Sequence, residues 1–471
     1  MGILSSLICV VAPLAAELTT DSVDVLHRVA DEYQDDNRPT EIYLNPSLRH
    51  LWHDYSLTQV GSVANLRRDV SNSLVPELGN AESLLSIRAS SFSLQSDKMA
   101  WGDALYCNGR IYDVLYNESS DFNRLRPYVV GDTIGGDIST RRYSISGGIS
   151  KLYNGYRWGA EAAFNAKQEY RRIDPRPNNV SSDIYLSLSL MRELRQNQYL
   201  ALALSLERYK QSGNIKIVSP LTKFTLYHYL GLGNDMTLFR GFSSEYNYKG
   251  YIFSPRIDFH SASFVASLIY NYSSYEKFAI SPAVTYPLNE LTVKSVSLYT
   301  AYNLSPIQRI RLNGAYSKYI GSEVVYGKLV NNIYPKIGES ALYQRNSYNI
   351  DALYSLRHGA MLYEVGVAYI SDVEEYIFPY AKNQISNGAN VKFTMNGSLH
   401  RVHTHIIPSA HLSLESISND DFRIGINPKI YVNHNLNASM GLSFSLNKHL
   451  YIADSSILSS NFSISLALLF F

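Results

Sequence analysis

From Asn461 to Phe471 the chain alternates with a period of two. Phe462, Ile464, Leu466, Leu468 and Phe470 fall on one side of a strand, and Asn461, Ser463, Ser465 and Ala467 on the other. Phe471 is one step out of phase with the apolar side. The same pattern recurs upstream. Ile184, Leu186, Leu188 and Leu190 alternate with Asp183, Tyr185, Ser187 and Ser189, and Leu200, Leu202, Leu204 and Leu206 with Tyr199, Ala201, Ala203 and Ser205. From Leu57 onward the pattern predicts strands over 57–68, 82–96, 99–107, 141–153, 156–170, 181–193 and 199–212. It continues over 262–273, 277–286, 291–303, 308–319, 347–357, 361–371, 388–400, 406–416, 422–432, 436–446 and 460–471. Most approach the roughly 9–11 residues that carry a tilted strand across a bilayer. The stretch 262–286 is weakly patterned and 245–258 is a further candidate, so 16–18 strands are expected, with 14 as the lower bound.

The connections sharpen this picture. Short reversals are expected at Asp97-Lys98, Asn154-Gly155, Gln196-Asn197, Ser305–Gln308, His358-Gly359 and Asn433–Asn435, Asn-Gly being a favoured hairpin turn. Long polar links run over 108–140, 213–261, 320–346 and 372–387. Counting strands places every long link at one end and every short turn at the other. That segregation is characteristic of outer-membrane barrels, with long loops outside and short turns in the periplasm. The expected fold is therefore all-β, a transmembrane antiparallel β-barrel over 57–471.

The first 56 residues differ. Residues 1–16 are apolar and end in small residues before Glu17, as a secretory signal does, although a basic start is missing. Residues 17–56 are acidic, with Glu17, Asp21, Asp24, Asp31, Glu32, Asp35, Asp36, Glu41 and Asp54 against Arg28, Arg38 and Arg49. This extension reads as an arm packed on the barrel mouth, with a periplasmic tether or a plug in the lumen as alternatives. After the leader no run of 18 apolar residues appears, so helical membrane spans are not expected.

Composition adds one oddity. There are 38 Tyr against 17 Phe and 3 Trp, in a chain that is 45% hydrophobic and 18% charged with a net charge of +1. Tyrosine, with an apolar ring and a wet tip, suits both membrane interfaces and a polar lumen. The balanced charge argues against a nucleic-acid partner. Only Cys9 and Cys107 are present, and a cleaved leader would leave one, so no intramolecular disulfide framework is expected.

One segment carries a family likeness. Trp158-Gly159-Ala160-Glu161, followed by Glu169-Tyr170-Arg171-Arg172-Ile173-Asp174-Pro175-Arg176-Pro177-Asn178, resembles an uncharacterised family of Bacteroidota-type outer-membrane β-barrel proteins. The resemblance implies an outer-membrane location and a gene neighbourhood containing TonB-dependent transporters and small lipoproteins. It implies no established activity.

Candidate chemistry is sparse. Arg171, Arg172, Asp174 and Arg176 sit between prolines in one loop and suit a carboxylate or phosphate, including that of lipopolysaccharide; an internal Arg–Asp brace is the favoured alternative. The link 213–261 is rich in aromatic residues, with Phe239, Arg240 and Phe242 at its centre, and is expected to fold inward, bind a ligand or pack on itself. His400, His403 and His405, with His411 beyond, are weak metal candidates with poor ligand spacing. His434 with Ser439, and His228, do not form a hydrolase motif. The sequence thus points to a non-enzymatic barrel without cofactor, acting in solute uptake or as an accessory of a transport complex. Its expected partners are outer-membrane lipid and lipopolysaccharide, with a TonB-dependent transporter or lipoprotein beside it. A general diffusion porin and a barrel hydrolase are the alternatives.

Overall fold

The computed structural model describes residues 40–471 except 53–54, 70–74, 220–224, 242–244, 283, 360, 378–380, 398, 402–403, 419–420, 438–439, 454–455 and 471. The expected leader and residues 17–39 of the acidic extension lie outside the described residues. Nearly everything described is strand, and every long strand pairs antiparallel with its neighbours in the sequence. The succession runs from β1 (Leu57–Asp69), β2 (Ala81–Leu94) and β3 (Lys98–Val114), past the short β4 (Val130–Gly131), to β5 (Gly136–Tyr153), β6 (Tyr156–Tyr170), β7 (Arg176–Arg195) and β8 (Gln198–Lys216). After β9 (Tyr227–Gly231) and β10 (Asn234–Asp235) it resumes at β11 (Glu245–His260), β12 (Phe264–Ile280), β13 (Thr285–Ser305), β14 (Gln308–Tyr326), β15 (Lys336–His358) and β16 (Met361–Tyr376). It finishes with β17 (Lys382–Gly397), β18 (Leu399–Arg401), β19 (Thr404–Ser418), β20 (Asp421–Asn437), β21 (Met440–Ala453) and β22 (Ser456–Phe470).

The last strand returns to the first. Strand β22 pairs with β21 on one side and with β1 on the other, from Thr58↔Phe470 to Asp69↔Ser459. Strand β1 in turn pairs with β2. Among the described residues the ring leaves no free edge for another chain to extend.

The sheet has 19 strands, more than the 16–18 expected. Strands β17 and β18 lie end to end along β19 and account for one difference. Residues 262–273 and 277–286, read as two strands, are mostly the single strand β12, and 245–258 belongs to β11. The apparent break at Ser274–Glu276 arises because outward Ser274 and Glu276 interrupt the apolar alternation. Glu290 accepts from Ser274 at 2.6 Å. Asn433–Asn435 is not a turn either. These residues sit within β20, and the chain reverses at 438–439, so the direction of every later strand is unchanged.

The long connections gather at one end, at 70–80, 115–135, 217–244 and 327–335. They are shorter than expected because the strands continue past the point where apolar alternation stops. The same end also holds five of two to five residues, at 171–175, 281–284, 377–381, 419–420 and 454–455, so the long link expected over 372–387 is mostly strand. At the other end eight connections span two or three residues each: 95–97, 154–155, 196–197, 261–263, 306–307, 359–360, 402–403 and 438–439.

The two sides of the wall follow the sequence pattern. Leu186 and Leu188 are 53% and 67% exposed, whereas Ser187 and Ser189 between them are buried. Leu200, Leu202, Leu204 and Leu206 point outward, and the same side of β8 continues as Arg208, Lys210 and Ser212. The apolar part thus covers about 20 Å of strand. Toward the loop end the apolar band is edged by outward Tyr143, Tyr251, Tyr272, Tyr316, Tyr348 and Tyr369, and toward the turn end by residues such as Trp158 and Tyr302. On β22, Ile464, Leu466 and Leu468 are exposed while Leu469 is fully buried against Tyr55 and Leu57.

Closure has a direct test. Directly opposed Cα atoms lie about 4.5–5.5 Å apart, within disulfide reach. With Cys9 and Cys107 replaced by Ser, Val60→Cys with Leu468→Cys is expected to cross-link on mild oxidation and alter gel mobility. Val60→Cys with Leu469→Cys should not, because residues 60 and 469 face opposite sides. Equal cross-linking of both pairs would contradict the register.

Candidate functional site

The interior is occupied from both ends by parts of the same chain. At the short-turn end, a helical turn at Thr40–Tyr43 leads through Asn45-Pro46-Ser47 to a 3₁₀ turn at Arg49–Leu51. Ile42 and Leu48 are fully buried and pack on inward Met191, Ala201, Val265, Tyr299 and Ala301. Polar contacts fix the segment. Asn45 donates to Asp258 at 2.7 Å, the Ser47 amide to Ser189 at 2.9 Å, and Arg49 pairs with Glu161 at 3.6 Å while lying 4.8 Å over Trp101. Asp258 is itself held by Arg256. The part of the extension that is described lies inside the lumen rather than on the barrel mouth. The close approach needs Gly159, since a Cβ there would come within 2.5 Å of the Ser47 amide and 2.6 Å of the Pro46 carbonyl carbon.

At the long-loop end, connections 115–135 and 217–244 fold inward together. Strand β9 pairs with β4 from one connection and β10 from the other, making a three-stranded sheet. Phe122, Leu125, Tyr128, Val129, Val130, Leu226 and Leu230 pack on wall residues that include Tyr209, Tyr246, Tyr248, Tyr275 and Tyr343. A buried loop must still satisfy its carbonyl groups. The wall does this: Tyr246 donates to the Glu118 carbonyl at 2.6 Å, Tyr248 to that of Tyr128 at 2.9 Å, and Lys277 to that of Val129 at 2.9 Å. Asn179 also donates to the Glu118 carbonyl, at 2.7 Å.

The charges of this inner layer are matched. Arg124 reaches Asp183 at 2.5 Å and Glu207 at 3.0 Å, and Lys167 reaches Asp121 at 2.7 Å and Glu169 at 3.3 Å. The Arg171 and Glu118 side chains, 3% and 0% exposed, form an ion pair at 2.8 Å. Glu118 has a second, buried neighbour in Asp132. Its Oε2 and the Asp132 Oδ2 have no other partner, while Asp132 Oδ1 accepts from the Ile134 and Gly135 amides at 2.8 Å. Burial, with Asp132 adding to it, pushes the Glu118 carboxyl up to about 8 against the pull of Arg171. A protonated Glu118 can donate from Oε2 to Asp132 Oδ2, which satisfies both oxygens. A cavity of about 350 Å³ lies beside them, lined among others by Glu118, Asp121, Arg124, Arg142, Lys167 and Glu169.

The candidate residues from the sequence are thus spread over several places. Arg171 is buried in its pair with Glu118, and Arg176 pairs with Asp174 at 2.6 Å. Asp174 also accepts from the Val218 and Ser219 amides, tying its loop to the next, and Arg172 lies 5.9 Å from the Tyr170 ring. Phe239 is fully buried among Tyr286, Leu288 and Tyr326, while Arg240 makes a two-pronged pair with Asp235 and stacks on Tyr227. Phe242 lies outside the described residues, as do His403 and the side chains of His400 and His405; residues 400 and 405 are cross-strand partners. Among the described residues no group of three metal-ligating side chains comes together. His434 faces Thr404 at 3.1 Å, and Ser439 lies outside the described residues. Glu118, Asp132 and the wall tyrosines carry no motif; their only trace in the sequence is the surplus of tyrosine.

The fold and its filled interior define the class: an all-β ring whose lumen is occupied by its own chain. A family of unknown function (DUF6850) matches residues 46–467, and the chain belongs to it. No curated protein matches it in sequence. Among solved structures, the ferric preacinetobactin receptor BauA from Acinetobacter baumannii is similar over 89% of this chain and 80% of its own, at 8% identity and a TM-score of 0.48. The outer membrane transporter YddB from Escherichia coli covers 89% and 81% at 8% identity and TM-score 0.43. The copper transporter OprC covers 88% and 81% at 5% identity and TM-score 0.45.

Two outcomes are expected at the Glu118 cluster. Glu118 is protonated more readily in the docked loop than in a free chain. Docking is therefore firmest below the ordinary carboxyl range, near 4.5, and weakens as pH rises through about 8. Hydrogen exchange of residues 115–135 should accelerate over that interval. Asp132→Asn, whose amide can donate to an ionised Glu118, should flatten the dependence. Arg171→Ala should loosen the same loop by roughly 3–5 kcal/mol, read as lost exchange protection, because it strands a buried carboxyl.

Proposed function

We propose that the protein is a non-enzymatic β-barrel of the bacterial outer membrane that works in solute uptake or as an accessory of a transport complex. The observation that carries this reading is the lumen filled from both ends, by residues 40–52 and by the two inward connections. The continuous outward apolar band supports the membrane placement, since a water-soluble chain seldom exposes so large an apolar surface. Tyrosine edging and the gathering of the long connections at one end support an orientation with the long loops outside. The family likeness seen in the sequence adds the expectation of a TonB-dependent transporter or lipoprotein nearby.

A general diffusion porin needs an open lumen, and the two inner plugs argue against it. A hydrolase needs a nucleophile, a base and an orienting group in contact, and none of the described histidines supplies that arrangement.

Planar-bilayer recording tests the proposal. The intact chain should show closed traces, and removal of residues 40–52 together with a shortened 115–135 connection should produce stable conductance steps. Large open channels from the intact chain would favour the porin. The membrane placement has its own test. Leu204→Arg should cost roughly 2–4 kcal/mol in urea unfolding from liposomes, whereas Ser212→Arg, beyond the apolar band, should cost about 1 kcal/mol or less.

A further inference from the structure

The outer wall above the tyrosines carries cations placed against one another. On β8 and β11, Lys210 and Lys249 are direct cross-strand partners, and Arg208 is the next outward residue on β8. On β13 and β14, Lys294 and Lys318 are direct partners, and Lys294 also stands opposite Tyr272. Like charges directly opposed on a sheet repel. Among the described residues none of these five makes an ion pair. Arg208 and Lys249 rest instead on aromatic rings, 5.9 Å from Tyr251 and 4.7 Å from Phe278.

Three carboxylates share this stretch, and Glu245 lies two outward positions nearer the loops than Lys249 on β11. Glu276 stands opposite Lys249 and Glu290 opposite Glu276, two outward positions nearer the loops than Lys294. Glu290 accepts from Ser274 at 2.6 Å. These five cations against three carboxylates leave two positive charges on five adjacent strands.

Resting on the outer-membrane reading, we propose that this wall from β8 to β14 is a docking surface for a phosphate-bearing glycolipid of the outer leaflet. Its acyl chains lie on the apolar band, its sugars meet Tyr251 and Tyr272, and its phosphates relieve the two lysine pairs. The height of the cations fits this, because they begin where the outward leucines and tyrosines end. Charge complementarity selects the occupant, since an uncharged lipid would leave both pairs repelling.

The test uses the full chain in neutral detergent, with bisphosphorylated lipid A, dephosphorylated lipid A and inorganic phosphate as probes. Binding is read by native mass spectrometry. The intact chain should prefer bisphosphorylated over dephosphorylated lipid A by about tenfold or more. Lys249→Gln with Lys318→Gln should abolish the preference, while Lys151→Gln with Arg192→Gln, at the opposite rim, should keep it. Heat-dependent gel mobility checks folding. In lipid-free detergent the Lys249→Gln, Lys318→Gln chain should be at least as stable as the parent, because repulsion is removed. Retention of the preference in that variant would overturn the proposal, as would equal displacement by inorganic phosphate, which would mark a bare anion site. Insertion into liposomes separates the two readings. A chain that inserts without preferring the phosphorylated lipid defeats this inference alone, and one that does not insert defeats the membrane placement.

Discussion

The structure depends on one constraint: a backbone N–H or C=O withdrawn from water must find a partner. Along the wall the constraint is met by pairing every strand with its neighbours and β22 with β1. The same requirement operates inside. Connections 115–135 and 217–244 can enter the lumen because they make a small sheet with each other and because wall side chains take their remaining carbonyls. A tyrosine suits that work, since its ring packs on the loop and its hydroxyl reaches a backbone oxygen. The surplus of tyrosine therefore serves two places, the outer edges of the apolar band and the inner seat of the loops.

Charge inside the lumen obeys a related rule. A buried ion survives where a partner and hydrogen bonds replace its water. Arg256 with Asp258 receives Asn45 at one end, and Arg171 with Glu118 anchors the loop at the other. Acids meet in pairs, Asp183 with Glu207 on Arg124 and Glu118 with Asp132. Burial of Glu118 favours its protonated form, which couples the inward loop to pH.

Much of the wall was legible in the sequence because lipid-side and lumen-side residues alternate with a fixed period. Residues 184–190 and 200–206 take the faces their pattern implies, and the long connections gather at one end. The pattern failed where the outward residues are polar. Ser274–Glu276 looked like a break and Asn433–Asn435 like a turn, yet both lie in unbroken strands. The interior was much less readable. Nothing local to Glu118, Asp132 or Ser47 marks them, because Glu118 and Ser47 take Arg171 and Ser189 from far along the chain and Asp132 meets Glu118 only when their connection folds inward. The loop arginines were recognisable as a group, but their spacing could not tell an internal brace from a ligand grip.

The segment whose sequence suggested a family, Trp158–Glu161 and Glu169–Asn178, belongs to β6, the loop beyond it and the first residues of β7. Its lower end holds the Gly159 notch for Pro46 and Ser47 and the Glu161 partner of Arg49. Its upper end holds Glu169, which accepts from Ser120, and Arg171, the partner of Glu118. Strand β6 is therefore a strut between the two obstructions, and 12 residues of extended chain fix their separation at about 40 Å. An extended strand cannot shorten, so a force that withdraws one obstruction along the axis reaches the other as tension in the wall. The two ends of the lumen are in this sense one mechanical part.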